Sequence, residues 1–418
     1  MPRRLVCLCL VALAGCASSP VAEAPRDGSD APLVVLVSID GFRYDYLERA
    51  DVEAPTLRAL AARGVRAERL VPVYPTKTFP NHYSLVTGLV PAQHGVVGNT
   101  MRDDSMAGPD GEPARFSLGD RDAVTDARWW GGEPIWATAE RQGVRAGTAF
   151  WPGSEAAIGG VRPSRWLVYD GDLAYAARVD SALAWTDVPD LGLVTLYFEA
   201  VDDAGHRHGP AAPEVAAAIE AVDAALGRLV AGLEARGRAA TLVVVSDHGM
   251  TPVDPSRRVL LDEAVDLDAE AAFVVWGEAA GVWPAPGVDA AELAGRIDAL
   301  AHVRAYPRES VPERLRYRDH ARIPPVVLVA DEGWTVTSRH YADRYPERPS
   351  GGAHGYDNAL PSMAGLFIAS GPGVRSGVTV PALSALDVYG LLARLLGVEA
   401  APNEGDAAAA DRVLRPAR

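Results

Sequence analysis

The chain has 418 residues, of which 48% are hydrophobic and 23% are charged, and its formal net charge is −15. This balance favours one large α/β domain with an insertion, or two domains. The acidic charge argues against binding to nucleic acid through a broad basic surface, so an anionic substrate has to be held by local cations.

The N-terminal residues have the pattern of an export signal. Arg3 and Arg4 precede an apolar stretch over residues 5–13, which is too short to span a bilayer. We expect residues 1–15 to be a signal peptide that is removed on export.

The signal ends in a sequence that resembles the bacterial lipobox, Leu-Ala-Gly-Cys over residues 13–16. This motif predicts cleavage before Cys16 and attachment of lipid to that cysteine. Ala17 follows, and the absence of aspartate there resembles outer-membrane sorting. We therefore expect a lipid-anchored protein of the bacterial cell envelope, held in the outer membrane and facing the periplasm. The alternative is an ordinary cleaved signal peptide.

The composition of residues 16–31 predicts a flexible tether, because Ala, Ser, Pro and Asp dominate it. All three cysteines fall within the first 16 residues. Disulfides therefore do not contribute to the expected fold, which has to be stabilised by its core and by bound metal.

A nearly continuous apolar run over residues 33–39 predicts a parallel strand that is buried on both faces. The run ends at Asp40. Because ligands in open α/β sheets collect beyond the carboxyl ends of the strands, Asp40 is a candidate ligand. A simple turn with the following glycine is the alternative. A helix over 55–63 and a strand over 65–70 come next.

The segment over residues 74–83 (Tyr-Pro-Thr-Lys-Thr-Phe-Pro-Asn-His-Tyr) contains a candidate nucleophile, Thr78. Pro80 suits the first turn of a helix that ends at Gly88, and the start of a helix favours an anion through its unpaired N–H groups and its dipole. A threonine hydroxyl needs a base or a metal ion to become nucleophilic, and the chain offers metal ligands rather than a nearby base. The alternative is a capping threonine without chemistry.

Asn99 follows in a turn, and its side-chain amide can donate to a phosphoryl oxygen; alternatively it is only a turn residue. The Asp- and Gly-rich residues 101–130 predict a surface loop. A helix over 134–142 and a strand over 144–150 come next. The aromatic residues that follow this strand, up to and including Tyr169, are candidates for stacking on a flat ligand. Alternatively, they pack in the core.

A second buried strand is predicted over residues 193–198, and metal-ligand types follow it. Asp202 and His206 are four residues apart, so one helical turn places them on the same face. A carboxylate and an imidazole on one face suit zinc. His208 is a rival ligand whose spacing fits that face less well, and a solvated polar loop is the alternative for the whole segment.

A long amphipathic helix over residues 213–236 leads to a third buried strand over 241–246. Asp247 and His248 follow that strand directly. Three buried strands that each end in metal-ligand types form the strongest functional pattern that spacing alone provides.

Residues 254–349 do not continue this succession of buried strands that end in metal-ligand types, and we predict that they form an inserted cap. His354 then lies in a glycine-rich loop, where the backbone can approach a site closely, and is a further candidate ligand. A helix over 387–396 closes the domain. We place the catalytic domain at residues 32–400 and a polar, Ala-rich tail at 401–418.

Five segments occur in the order that one enzyme family uses, and they span Leu33 to Leu396: Ser38-Ile39-Asp40-Gly41, Pro75-Thr76-Lys77-Thr78-Phe79-Pro80-Asn81-His82, Asp202 with His206, Ser246-Asp247-His248-Gly249-Met250 and Gly352-Ala353-His354-Gly355-Tyr356. Together they resemble the nucleotide pyrophosphatase/phosphodiesterase family (type I phosphodiesterases) of the alkaline phosphatase superfamily. The resemblance implies an alkaline-phosphatase-like α/β sandwich, with a largely parallel central sheet flanked by helices and a smaller inserted cap. The Cys-rich and nuclease-like domains of animal members are not seen, as expected of a minimal bacterial version.

The resemblance also implies two Zn²⁺ ions and a set of site residues. One ion is expected on Asp202, His206 and His354, and the other on Asp40, Thr78, Asp247 and His248. Asn99 is expected to bind phosphoryl oxygens, while Phe79 and Tyr169 resemble a pair that sandwiches a nucleobase.

The implied activity is hydrolysis of phosphodiester and phosphoanhydride bonds in nucleotides through a covalent nucleotidyl-threonine, with release of nucleoside monophosphates. Other enzymes of the superfamily remain alternatives: a lipid-headgroup phosphodiesterase, a phosphonate hydrolase or a phosphomonoesterase. A degenerate lipoprotein that only binds its ligand is the alternative from another class, and the presence of every expected ligand argues against it.

Overall fold

The computed structural model describes residues 33–108, 111–188 and 190–416. The predicted signal peptide, Cys16 and the tether lie outside the described residues. Among the helices that are described, none is long and apolar enough to cross a membrane.

The strands are short, as is usual for an α/β protein. In chain order they are β1 (Leu33–Ile39), β2 (Val65–Ala67), β3 (Leu70–Val71), β4 (Thr100–Ala107), β5 (Pro113–Ser117), β6 (Arg145–Ala149), β7 (Arg165–Leu167), β8 (Leu191–Phe198), β9 (Ala240–Val245), β10 (Thr251–Val253), β11 (Arg258–Leu260), β12 (Ala271–Val275), β13 (Ala279–Pro284), β14 (Val303–Pro307), β15 (Val326–Ala330), β16 (Thr335–Thr337), β17 (Gly351–Ala353), β18 (Phe367–Ser370), β19 (Val378–Val380) and β20 (Leu383–Ser384).

The α-helices alternate with these strands. They are α1 (Pro55–Arg63), α2 (Thr78–Thr87), α3 (Pro91–His94), α4 (Arg121–Thr125), α5 (Ile135–Arg141), α6 (Tyr175–Trp185), α7 (Ala200–His208), α8 (Pro213–Ala235), α9 (Leu267–Glu270), α10 (Ala290–Asp298), α11 (Arg339–Arg344), α12 (Asp387–Leu396) and α13 (Ala409–Val413).

The central sheet has eight strands in the order β19-β2-β18-β9-β1-β8-β6-β7. Its pairings are parallel except for those of β18, which runs antiparallel to β9 and β2. The predicted α/β fold with a largely parallel sheet is therefore confirmed. β1 lies between β8 and β9, and all of its residues are buried, as its apolar run predicted.

Side chains that alternate along β1 enter two different cores. Val34 and Leu36 pack into a core that includes side chains of α2, α5 and α12. Val35 and Val37 pack into a second core on the other face, which is covered by α1, α6 and α8. The sheet is thus sandwiched between two helical layers, which fixes the direction of its strand ends.

The segment predicted to be a cap contains a separate antiparallel sheet in the order β12-β13-β15-β14. One face of this sheet packs with Leu293 and Ile297 of α10 in a core of its own. Other parts of the segment join the main core, among them Leu315 and Ile323. The second sheet therefore sits on the catalytic domain rather than standing apart from it.

Residues 101–130 differ from the predicted surface loop. β4 and β5 form an antiparallel hairpin in which Met101 pairs with Phe116, and both side chains are buried. Trp129 and Trp130 contact the ring of Phe116 edge to face. The aspartates and glycines around these residues obscured the apolar alternation that places the hairpin against the core.

The C-terminal segment also differs from a free polar tail. Residues 409–413 form α13, which packs against α12 and buries Ala410, Val413 and Leu414 in the main core. The alanines that suggested a tail instead allow close packing of two helices.

Candidate active site

Candidate metal ligands from distant parts of the chain meet at one edge of the central sheet. β9, β1 and β8 are neighbouring parallel strands, so their carboxyl ends lie side by side. Asp40 directly follows β1, Asp247 comes just after β9, and α7 starts just after β8. His354 comes from the loop after β17, which packs against α7.

Gly41 allows α7 to approach β1 closely. Its φ is +67°, in the left-handed region, and a side chain there would lie 2.8 Å from the Cα of Asp202. A Cβ at this position would therefore be strained and would push Asp202 away from Asp40.

The imidazoles and carboxylates form one connected cluster. His248 Nε2 lies 2.9 Å from Asp247 Oδ2 and 3.4 Å from Asp40 Oδ1. His206 Nε2 lies 3.3 Å from Asp202 Oδ2 and 3.1 Å from the Nε2 of His354. The ring of His354 stacks on that of His248 with centroids 3.5 Å apart.

Each of these three histidines has its tautomer fixed by the backbone. A carbonyl can only accept, so each Nδ1 carries a proton, and each Nε2 offers its lone pair whenever the imidazole is neutral. The bonds join His206 to Gly352, His354 to Thr76 and His248 to Gly249, at 2.8, 2.7 and 3.0 Å respectively. This is the usual arrangement of histidines that bind metal through Nε2.

The carboxylates at the same point have oxygens without a hydrogen-bond donor among the described residues. These atoms are Asp40 Oδ1, Asp202 Oδ1 and Asp247 Oδ2, and all of them are buried. Unpaired acceptors in a buried position are costly unless a cation satisfies them. Together with the imidazole lone pairs, they form a donor set that fits divalent metal ions.

The pKa values of the three carboxylates also indicate a site for a cation. Burial raises the pKa of Asp40 well above its usual value, and Asp247 and Asp202 raise it further. Burial also raises the pKa of Asp202. Burial opposes the ionisation of Asp247 as well, yet the imidazoles of His248 and His82 keep its pKa well below the usual range. Three adjacent carboxylates are therefore unfavourable without a cation.

Two groups are packed tightly enough to share an ion. Asp202, His248 and His354 form one, and Asp40, His82 and Asp247 form the other. His248 lies between them, since it contacts Asp40 and stacks on His354. The rival ligand His208 is not part of the cluster; it is exposed, and its Nδ1 lies 3.9 Å from Glu214.

Sequence reasoning did not single out His82, although it lies four residues after Thr78 and therefore on the same face of α2. It is buried, and its Nδ1 lies 2.9 Å from the carbonyl of Thr78 and 3.3 Å from Asp247 Oδ2. Its Nε2 bonds the hydroxyl of Ser38 at 2.8 Å. With both nitrogens engaged, His82 positions its neighbours and has no free lone pair for a metal ion.

Two further supporting residues were also missed. The Tyr197 hydroxyl, near the end of β8, donates to Asp40 Oδ2 at 2.6 Å. Lys77 Nζ donates to the carbonyl of His354 at 2.8 Å and pairs with Glu278 at 2.6 Å. Both hold a candidate ligand in place, which is a role that depends on contacts between distant segments.

Thr78 is the first residue of α2, and its hydroxyl lies 3.5 Å from His248 Nε2. Asn99 is next to it in space, because Asn99 Oδ1 accepts the backbone N–H of Phe79 at 2.9 Å. That bond fixes the amide so that its NH₂ group is the end left to donate. The structure therefore brings Thr78 and Asn99 together with the metal-ligand cluster.

A cavity of about 260 Å³ adjoins the cluster. Asp40, Thr78 and Asp202 line its inner end, and Phe79 and Tyr169 contribute aromatic walls. Phe79 is half-buried and packs against Phe116 and Trp130 in the core, whereas Tyr169 is 45% exposed and contacts Phe150 edge to face.

Two charged residues line the same cavity and were not predicted. Glu155 is buried and accepts the backbone N–H of Tyr169 at 3.2 Å. Its other oxygen pairs with the guanidinium of Arg121, which is part-exposed. The cavity thus combines aromatic surfaces with fixed hydrogen-bonding groups, as ligand sites for flat polar molecules do.

Comparison with known proteins agrees with this geometry. A family model described as type I phosphodiesterase/nucleotide pyrophosphatase matches residues 34–357. A venom phosphodiesterase of Macrovipera lebetinus is 35% identical over 96% of this chain and 47% of its own length. Ectonucleotide pyrophosphatase/phosphodiesterase family member 1 of Mus musculus is 35% identical over 96% of this chain and 44% of its own. The chain spans about half the length of these curated relatives.

Solved structures are similar over nearly the whole domain. Human ectonucleotide pyrophosphatase/phosphodiesterase 5 superposes with a TM-score of 0.83 at 34% identity, over 91% of this chain and 99% of its own. The murine protein, solved as an inactive threonine-to-alanine variant in complex with AMP, has the same score and identity and is covered completely. The chain described here belongs to the type I phosphodiesterase/nucleotide pyrophosphatase family.

Proposed function

We propose that this protein is a zinc-dependent hydrolase that cleaves phosphodiester and phosphoanhydride bonds in nucleotides and releases nucleoside monophosphates. One observation carries the proposal. The Thr78 hydroxyl opens into a cavity whose inner end holds unpaired buried carboxylates and whose walls are aromatic. A nucleophile, cation ligands and a surface for a base are thus combined in one space.

The residues divide between two expected ions. Asp202, His206 and His354 would hold one Zn²⁺, and Asp40, Thr78, Asp247 and His248 the other. Bound zinc would lower the pKa of the threonine hydroxyl and offset negative charge on phosphate and leaving group. The imidazole lone pairs and the orphaned carboxylate oxygens support metal binding by these residues, while the division between two ions follows the family resemblance.

The reaction proceeds by displacement at phosphorus. The Thr78 hydroxyl gives up its proton to solvent, its oxygen forms a bond to phosphorus, and the bond to the leaving oxygen breaks with its electron pair. A water molecule then attacks phosphorus on the opposite side from Thr78 and loses a proton to solvent, the bond between phosphorus and the Thr78 oxygen breaks, and Thr78 takes up a proton as the nucleoside monophosphate is released. Such two-step covalent catalysis replaces one difficult displacement by two easier ones.

Asn99 and the start of α2 stabilise the phosphoryl group. The amide NH₂ of Asn99 is directed by the bond from Phe79, and the positive end of the α2 dipole, where Thr78 lies, favours the negative charge of a phosphoryl group. A related protein supports the role of a threonine: the inactive murine protein solved in complex with AMP carries a threonine-to-alanine substitution.

A nucleoside fits the aromatic part of the cavity. Phe79, next to the nucleophile, and Tyr169 line the same space. A diester needs room and contacts for its second substituent. A monoester dianion, in contrast, binds more tightly where an additional cation contacts its phosphate. Among the described lining residues of this cavity the arginine is Arg121, which is already paired with Glu155, and this favours nucleotide diesters and anhydrides over simple monoesters.

The first prediction concerns the nucleophile. Thr78→Ala should lower kcat on a nucleotide diester about a thousandfold or more, as loss of a covalent nucleophile does, while Thr78→Ser keeps part of the activity. The circular dichroism spectrum should remain close to that of the wild type, and much of the zinc should be retained. An alanine variant that turns over at near-wild-type rates would exclude Thr78 as the nucleophile.

The second prediction concerns the metal ligands. Chelation should abolish activity and zinc should restore it, and His354→Ala should weaken zinc binding about tenfold or more in equilibrium dialysis. His340→Ala is the matched control, since His340 is an exposed histidine that is not part of the cluster. If the His354 variant retains two tightly bound ions per chain, His354 is not a ligand.

The third prediction concerns the aromatic walls. Phe79→Ala and Tyr169→Ala should each lower kcat/KM on a nucleoside aryl diester about fivefold or more, the range expected when stacking on a base is lost. A bis-aryl phosphodiester without a nucleoside should be affected much less. Trp166→Ala, which removes an exposed aromatic residue near Tyr169, serves as control.

Two outcomes of that experiment would contradict the proposal. Equal losses on substrates with and without a base would refute stacking on the nucleobase. A wild-type protein that hydrolyses an aryl phosphate monoester with a higher kcat/KM than the matching nucleotide diester would refute the diesterase assignment.

We also propose that the protein acts at the cell envelope, anchored by lipid on Cys16 as the lipobox-like sequence indicates. The fourth prediction follows: a Cys16→Ala precursor should lose incorporation of labelled fatty acid and should leave the membrane fraction. Labelling of that variant at the wild-type level would exclude this attachment site.

A further inference from the structure

A second cavity, of about 370 Å³, opens beside His206. Apart from His206, Val253 and the strip formed by β17, its walls come from the inserted segment and the turn that follows it. Its polar, charged and aromatic lining residues include Glu278, Thr335, Thr337, Tyr341 and Arg348. We name it the insertion cavity.

The insertion cavity and the cavity with the aromatic walls both adjoin the same cluster. Asp202 lines the aromatic cavity and His206 lines the insertion cavity. The two residues contact each other at 3.3 Å. A substrate whose phosphorus lies at the cluster can therefore extend one substituent into each cavity.

Thr78 lines the aromatic cavity and does not line the insertion cavity. In a displacement at phosphorus the attacking oxygen and the leaving oxygen lie on opposite sides of the phosphorus atom. If the nucleoside occupies the aromatic cavity, the insertion cavity is on the side toward which the leaving group departs.

Arg348 supplies a positive charge to this cavity. Its side chain is 54% exposed, and the acidic group that pairs with it among the described residues is that of Glu347, at 4.0 Å. A surface pair at that distance contributes little, so the guanidinium is available to a ligand. Its backbone is held in place by Arg258, whose Nε donates to the Arg348 carbonyl at 2.7 Å.

The acidic group in the cavity does not cancel this charge. Glu278 is already paired with Lys77 at 2.6 Å and accepts from the Thr335 hydroxyl at 3.3 Å. Tyr341 adds a ring that is 47% exposed. The insertion cavity therefore presents one available cation and one available aromatic surface, in a volume within the range of small-molecule sites.

We propose that the insertion cavity binds the leaving group of the substrate and selects one that carries phosphate, either the pyrophosphate of a nucleoside triphosphate or a second nucleotide. This inference rests on the function proposed above. Arg348 binds the phosphate of the leaving group, and Tyr341 stacks on a base when the leaving group has one. The inserted segment thus determines which half of the substrate is released.

The test compares three substrates that share the same nucleoside 5′-phosphoryl half: a 4-nitrophenyl ester, a nucleoside triphosphate and a symmetrical dinucleoside diphosphate. Arg348→Ala should lower the ratio of kcat/KM for the two phosphate-bearing substrates over the nitrophenyl ester about tenfold or more, since a charge-assisted hydrogen bond is lost. Arg348→Lys should recover part of the ratio. Arg344→Ala, which removes an exposed arginine from the neighbouring helix, should leave it unchanged.

Tyr341→Ala distinguishes the two kinds of leaving group. It should lower kcat/KM for the dinucleotide by a further severalfold relative to the triphosphate, because only the dinucleotide offers a base. As a readout other than turnover, inorganic pyrophosphate should inhibit Arg348→Ala about tenfold more weakly than the wild type, whereas inhibition by the nucleoside monophosphate should be unchanged.

The outcomes separate the two proposals. Equal losses on all three substrates, or no loss on any, would overturn the leaving-group assignment while leaving the hydrolase intact. A wild-type protein that fails to cleave even the nitrophenyl ester would instead refute the function on which this inference rests.

Discussion

The accumulation of buried negative charge at the carboxyl end of the central sheet is the constraint on which the rest of the site depends. Asp40, Asp202 and Asp247 come from three neighbouring secondary-structure units, and each has a buried oxygen without a donor in the described structure. Burial raises the pKa of Asp40 and of Asp202. Only cations make this arrangement of buried carboxylates favourable. Metal binding, rather than substrate binding, therefore explains the positions of these side chains.

The contacts around the three carboxylates hold them and the neighbouring imidazoles in position. Backbone carbonyls fix the tautomers of three histidines, the Tyr197 hydroxyl holds Asp40, and His82 links the start of α2 to Asp247. These groups come from segments that are far apart in the sequence. His82 also contacts the Thr78 carbonyl at 2.9 Å, so the contacts that orient the candidate ligands fix the position of the proposed nucleophile as well.

The predictable parts of the molecule were those encoded by local pattern. The buried strand before Asp40, the helical spacing of Asp202 and His206, and the strand before Asp247 were visible because apolar runs and fixed spacings repeat locally. The β4–β5 hairpin was missed because its inward residues alternate within an Asp-rich stretch. The role of Lys77 was missed because its partner, Glu278, lies 201 positions away, and no sequence period encodes such a contact.

The spread of the ligands along the chain has a consequence for how the protein matures. The cluster joins residues 40 to 354, and its central strand β1 pairs with β8 and β9, which are more than 150 positions downstream. Such non-local pairing is slow, because loop-closure entropy is lost before the contacts form. An incomplete chain lacks part of the candidate ligand set, so a metal ion would find its full set of ligands only late in folding. A bound ion would then stabilise the native state by mass action, and the metal supply would affect the lifetime of the folded protein as well as its chemistry.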